Sequence, residues 1–154
     1  MKQQKGILIL EDNPLLLYQL QEKCLEHGYS VYDCDGIYRA SETWESHKDS
    51  INAIIADINM DPRGLTKEEI RMSRNGKFSG WLWVNNYIIN AGFPPANVII
   101  LSEYNDDLFT YISNSVPAHK NNYMAIKKRK QLIDKVDPSW ATGRALDLLQ
   151  KLLK

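Results

Sequence analysis

Apolar residues fall into two patterns along this chain, short unbroken runs and longer stretches with helical spacing. Residues 6–10 (GILIL), 53–58 (AIIADI) and 98–101 (VIIL) are runs of the kind expected for strands buried on both faces of a parallel sheet. Residues 29–34 (YSVYDC) alternate and predict a further strand, second in chain order. Between the runs, Pro14 opens a helix whose face is Leu16, Leu17, Leu20, Cys24 and Leu25, and His27-Gly28 closes it. A weaker helix is expected over 37–48, with Ala40 and Trp44 inward, another over 80–91, and a short one over 106–115. Pro138 and Ser139 open a last helix with Leu146, Leu149, Leu152 and Leu153 at helical spacing. Two segments compete for a fifth strand, YMAI at 123–126 and QLI at 131–133.

Alternating strands and helices predict an α/β fold, a doubly wound (flavodoxin-like) five-stranded parallel sheet with helices on both faces. The 154 residues suit one domain, 1–154, and contain no internal repeat or low-complexity tract. The polar stretch 61–79 is too long for an ordinary strand-to-helix connection of about 2–6 residues and is expected to be an insertion after the third strand. Within it, Thr66-Lys67-Glu68-Glu69 has the form of a capping box and Asn75-Gly76 that of a stop, predicting a short helix over 67–74. Five basic side chains (Arg63, Lys67, Arg71, Arg74, Lys77) outnumber three acids there, which suits either a partner-docking lid or a tolerated surface excursion.

Nineteen basic and nineteen acidic residues cancel, so no overall field points to direct nucleic-acid or membrane binding. The run 127–130 (KKRK) reads as a solvated surface. No segment has signal-peptide or membrane-spanning character, and a cytoplasmic location is expected. Cys24 and Cys34 match no metal or redox spacing, and Cys24 is expected to be a buried free thiol. His27, His47 and His119 show no ligand-like spacing and are expected at the surface or in caps. Trp81 and Trp83, two apart, cannot share a helix face, so one is expected in the core and the other beneath the insertion.

Candidate chemistry sits where the strands end. The first ends in Glu11-Asp12, the third in Asp57 and the fourth in Ser102. In open α/β sheets such ends converge on one edge, where ligands bind. Three carboxylates there repel one another, and a divalent cation with oxygen ligands, Mg²⁺ or Mn²⁺, resolves the repulsion. An aspartate nucleophile beside a metal, a hydroxyl and an ammonium suits phosphoryl transfer to a carboxylate.

The segments ILILEDN (7–13), IIADINM (54–60) and VIILSE (98–103) resemble the three signature segments of response-regulator receiver domains, and GWLWVNNYII resembles the helix that follows their phosphoacceptor loop. The resemblance implies a CheY-like, non-enzymatic phosphoacceptor module of two-component signalling. Asp57 would accept a phosphoryl group from a histidine kinase or phosphotransfer protein. Asp12, with Glu11 directly or through water, Asp57, and the backbone carbonyl of Asn59 would hold Mg²⁺. Ser102 would hydrogen-bond a phosphoryl oxygen and report occupancy. A lysine at the end of the fifth strand completes the set. Lys135 is favoured, since the last helix then follows at Pro138, with Lys127 and Lys128 as alternatives if YMAI is the strand.

Output would be a phosphorylation-dependent interaction with a downstream protein that these residues do not identify. The chain departs from the family pattern at Asp61, which intervenes before Pro62, at Glu103, where a small residue is common, and at Leu132, which replaces an aromatic switch residue. Glu103 and Asp61 motivate a rival reading as a receiver-like scaffold that is never phosphorylated. A Mg²⁺-dependent phosphohydrolase with an aspartyl nucleophile is a second rival, but its second aspartate would stand where this chain has Asn59.

Overall fold

The computed structural model describes residues 3–154. Five parallel strands lie in the order β2-β1-β3-β4-β5: β1 Gly6–Leu10, β2 Ser30–Cys34, β3 Ile51–Asp57, β4 Val98–Ser102 and β5 Leu132–Asp134. The helices are α1 Pro14–Glu26, α2 Ile37–His47, α3 Lys67–Met72, α4 Ser79–Trp83, α5 Asn105–Ser115, α6 Lys120–Lys128 and α7 Pro138–Leu152. This is the doubly wound α/β sheet that the alternation predicts.

Strand side chains alternate between two cores. Ile7, Ile9, Ala53 and Ile55 pack with α1 and α7, and Leu8, Leu10, Ile54 and Ala56 pack with α2, α4, α5 and α6. Because β1, β3 and β4 are covered on both faces, their positions are buried almost throughout, and their sequences read as unbroken runs. Asn13 caps α1, its side chain accepting from the Leu15 and Leu16 amides at 3.0 and 3.2 Å, and Asp137 caps α7 in the same way.

Several boundaries and placements differ from expectation. β3 begins at Ile51 and ends at Asp57, leaving Ile58 beyond the strand. YMAI lies in α6, and the fifth strand is Leu132–Asp134. Tyr123 and Ile126, three apart, bury one helical face, which the sheet's period of two would have split. The side chain of Gln131, fully buried, then ties the start of β5 to the start of the neighbouring strand β4, donating to the carbonyls of Ala96 (3.0 Å) and Val98.

After Trp83, α4 widens into π turns over Val84–Ile89, with the Asn90 amide bonded to the Asn85 carbonyl at 3.1 Å. Both tryptophans are fully buried in the core, and α3 of the segment 61–79 packs on the helix that carries them. Trp81 Nε1 donates to His119 Nδ1 at 3.1 Å and Trp83 Nε1 to Ser41 Oγ of α2 at 2.9 Å. His119 is therefore buried, not a surface residue, because it supplies the acceptor that a buried indole needs. The capping box at Thr66 and Glu69 is present, and α3 stops at Met72.

Candidate functional site

Strand order places β1 beside β3, with β2 on the outer side of β1 and β4 on the outer side of β3. The chain thus reverses its winding between β1 and β3, and a crevice opens beyond their carboxyl ends. Glu11 and Asp12 follow β1 directly, and Asp57 is the last residue of β3. One carboxylate oxygen from each of the three lies within 4.8 Å of the others. Glu11 and Asp57 are fully buried and Asp12 is exposed at the rim.

Each buried carboxylate is held by the backbone next to it. The Asn13 amide donates to Glu11 Oε1 at 2.9 Å, and the Asn59 amide donates to Asp57 Oδ1 at 3.1 Å. Lys135, directly after β5, reaches across the sheet edge. Its ammonium donates to Asp57 Oδ2 at 2.7 Å and to Glu11 Oε1 and Oε2 at 3.3 and 3.4 Å. Lys127 and Lys128 end helix α6, one strand earlier in the chain.

Gly80 fixes how closely the next helix can approach. Its amide donates to the Ile58 carbonyl at 3.0 Å, and a Cβ there would overlap the Asp57 carbonyl oxygen. The Ser79 hydroxyl donates to the Met60 carbonyl, so the start of α4 and the turn after Asp57 brace each other.

The charges in this pocket are unbalanced. Burial, with the Asp57 charge adding to it, pushes the Glu11 carboxyl up to about 7. Burial also raises Asp57, against the pull of Lys135. Burial alone would lower Lys135, but the carboxylates of Asp57 and Glu11 outweigh it and hold its pKa up. One ammonium therefore serves two buried carboxylates, with Asp12 a third negative group close by. The donor set is all oxygen, with Asp12 open to solvent, and this fits a hard divalent cation such as Mg²⁺ that keeps several of its waters.

Ser102 is buried at the end of β4, beside β3, where Leu101 pairs with Asp57. Its hydroxyl accepts from the Tyr104 amide at 2.8 Å, and among the described residues it makes no hydrogen bond to Asp57, Glu11 or Lys135. Asn59 lines the open side of the pocket. A cavity of about 640 Å³ opens at Asp12 and Lys135, and Asn59, Glu103, Arg74, Asn75, Gly76 and Lys77 line it with them. These last four sharpen the sequence reading, which counted Arg74 and Lys77 only as part of a basic stretch. The roles of Asn13 and Tyr104 were also missed there. Asn13-Pro14 carried the helix-cap signal, whereas nothing local marked Tyr104.

No protein-family model matches the chain, and no curated protein matches it. Solved structures do. The signal receiver domain of an HD domain-containing protein from Pseudomonas fluorescens superposes with a TM-score of 0.57 at 15% identity, covering 97% of this chain and 94% of that one. A response regulator receiver domain protein from Clostridium thermocellum gives 0.52 at 19% identity, covering 97% and 99%. The receiver domain of a Francisella response regulator gives 0.52 at 16% identity, covering 96% and 98%. At these identities the likeness is one of fold.

Proposed function

On the premise that this chain has the fold of response-regulator receiver domains, we propose that it is a phosphoacceptor module whose acceptor is Asp57. The observation that carries this reading is the buried Asp57 carboxylate, bonded by Lys135 at 2.7 Å and clustered with Glu11 and Asp12 at the switch point of the sheet. The donor is a phosphohistidine of a histidine kinase or phosphotransfer protein. An Asp57 oxygen attacks phosphorus in line, the P–N bond breaks, and the imidazole keeps the bonding pair and takes a proton from water.

Glu11, Asp12, Asp57 and the Asn59 carbonyl would hold Mg²⁺, which when bound supplies positive charge to the crowded oxygens. Lys135 keeps Asp57 oriented and remains within reach of the new phosphoryl oxygens as a compact, mobile ammonium. The Asn59 amide on Asp57 Oδ1 and the Lys135 ammonium on Oδ2 together fix the orientation of the carboxylate that meets the donor. Ser102 gives up the Tyr104 amide to bond the phosphoryl group, and that exchange moves the start of α5, the first step of output to a downstream protein. In this reading residues 1–154 act as one receiver module in the cytoplasm, and the chain turns over no substrate.

The test is mass spectrometry after incubation with acetyl phosphate and Mg²⁺. One phosphoryl group is expected on the wild-type chain and none on Asp57→Asn. Undiminished labelling of the variant would remove Asp57 as the acceptor. Refusal of the donor by the wild type would favour the unphosphorylated scaffold, a reading supported by Glu103 on the cavity wall. Catalytic release of phosphate from esters would instead identify a phosphohydrolase.

A further inference from the structure

Arg74 is the cation of the acid pocket with charge to spare. Of the three basic side chains on the cavity wall, Lys135 is engaged by Asp57 and Glu11, and Lys77 is bonded to Asp107 Oδ2 at 2.9 Å. Arg74 has no carboxylate partner among the described residues. Its guanidinium lies 5.7 Å from the Tyr111 ring centroid and 5.9 Å from that of Phe78. Those two rings stack on each other with centroids 4.6 Å apart. A guanidinium laid on aromatic faces is held in place while its edge donors stay free.

The backbone that presents it is a built feature. Arg74, Asn75 and Gly76 have φ of 54°, 54° and 97°, and a left-handed conformation costs free energy at the two non-glycine positions. The buried Ser73 hydroxyl holds the turn, donating to the Ile70 carbonyl at 2.7 Å and accepting from the Gly76 amide at 3.0 Å. Gly76 packs on the Pro62 ring, where a Cβ would press at 3.0 Å. Backbone strain held by surrounding contacts is a pointer to function when it borders a site.

The pocket also has an electrostatic need for such a group. A phosphoryl donor arrives as an anion, and Asp12 and Glu103 on the cavity wall repel it. Asp61, also on the wall, is offset by Arg63 at 2.8 Å. We infer that Arg74 is a donor-binding residue, which takes the phosphoryl oxygens of an incoming phosphoramidate or acyl phosphate at the pocket mouth before transfer to Asp57. The inference rests on the proposed function and assigns the strained turn a substrate-selecting role. An Arg fork suits a phosphoryl group with two oxygens facing it.

The experiment measures labelling rates at several concentrations of phosphoramidate and of acetyl phosphate, with Mg²⁺, for wild type, R74A and R74K. Thermal melts of the same samples confirm that each variant is folded. With R74A the second-order rate is expected to fall about tenfold for both donors, and R74K to recover most of it. Raising ionic strength should slow the wild type and leave R74A nearly flat. An unchanged rate in R74A, or a loss confined to acetyl phosphate, would overturn the inference while leaving Asp57 as acceptor. Absence of labelling in the wild type would overturn the acceptor reading and this inference together.

Discussion

The two faces of the sheet are built from different materials. Under α1 and α7 the core is aliphatic, with Leu16, Leu20, Cys24, Ala145 and Leu149 over Ile7, Ile9, Ile55 and Leu101. Both thiols of the chain are buried and lifted far from reactivity, Cys24 to about 12 and Cys34 to about 11, burial being the first cause in each case. Under α2, α4, α5 and α6 the core adds aromatic side chains to its aliphatic ones: Trp44, Phe78, Trp81, Trp83, Tyr111 and Tyr123. Four of these carry a polar tip into a specific bond: Trp81 to His119, Trp83 to Ser41, Tyr111 to the Met72 carbonyl, and Tyr123 to the Asn105 carbonyl.

Aliphatic packing is non-directional, so the α1–α7 face can hold its helices while constraining little else. The aromatic face is directional, and its contacts run to the acid pocket. Phe78 stacks with Tyr111 beneath Arg74, and Gly80 begins the same helix against Asp57. A lesion on the aromatic face should therefore disturb both stability and phosphoryl labelling, whereas one on the aliphatic face should cost stability alone.

The largest effect is expected from Trp81→Ala, which empties a fully buried indole site and strips His119 of its donor. A loss of about 3–5 kcal/mol in denaturant unfolding is expected, together with slower labelling by acetyl phosphate. Leu20→Ala is the matched lesion on the other face, with a loss of about 2–5 kcal/mol and unaltered labelling per folded molecule. Equal slowing in both variants would break the contrast between the faces.

Gly80→Ala comes next. The added methyl collides with rigid backbone at Asp57, and an overpacking cost of about 1–3 kcal/mol is expected by the same measurement. Labelling should fall further than stability does, because the displaced group is the end of β3. A variant that labels at the wild-type rate would show that α4 does not set the acceptor's position.

Mg²⁺ should stabilise the pocket edge and neither face in particular. At ten times its dissociation constant the gain is about 1.4 kcal/mol in unfolding free energy, and Asp12→Ala should remove most of it. An equal Mg²⁺-dependent rise in melting temperature in that variant would take Asp12 out of the metal site.

The smallest effect concerns His119. Burial lowers its pKa below the ordinary 6.5, so the native state keeps it neutral while the unfolded chain protonates it. Below pH 6.5 the unfolded state binds the extra proton, and stability falls as pH falls, by less than about 1.4 kcal/mol per pH unit from this one group. The loss stops once the pH drops below the folded-state pKa. His119→Gln, which still offers an acceptor to Trp81, should flatten the pH dependence of unfolding between pH 7 and 5, a range on the order of the histidine titration. An unchanged slope would mean that the indole–imidazole bond on the aromatic face is not proton-linked.

Much of this molecule is determined by short stretches of its sequence. The unbroken runs at 6–10 and 98–101 mark strands covered on both faces, because a residue that meets a helix on either side must be apolar. Pro14, Pro138 and the Thr66–Glu69 box mark helix starts, because caps act within a single turn. Acids at the ends of the first and third runs mark the candidate site for the same reason: the end of a buried run is a local signal.

Only the tertiary structure decided the rest. YMAI, with four residues, is too short for its period to separate strand from helix, and the burial of Tyr123 and Ile126 on one face settles it as helix. The 2.7 Å bond from Lys135 to Asp57 joins the ends of β5 and β3 across the intervening β4 and depends on the sheet being parallel and in register. His119 is buried because an indole far away in sequence needs an acceptor, and Arg74 lines the cavity from a left-handed turn that Ser73 and Pro62 hold in place. Each of these rests on contacts between segments far apart along the chain, and a local pattern holds no record of which distant segment will arrive to meet it.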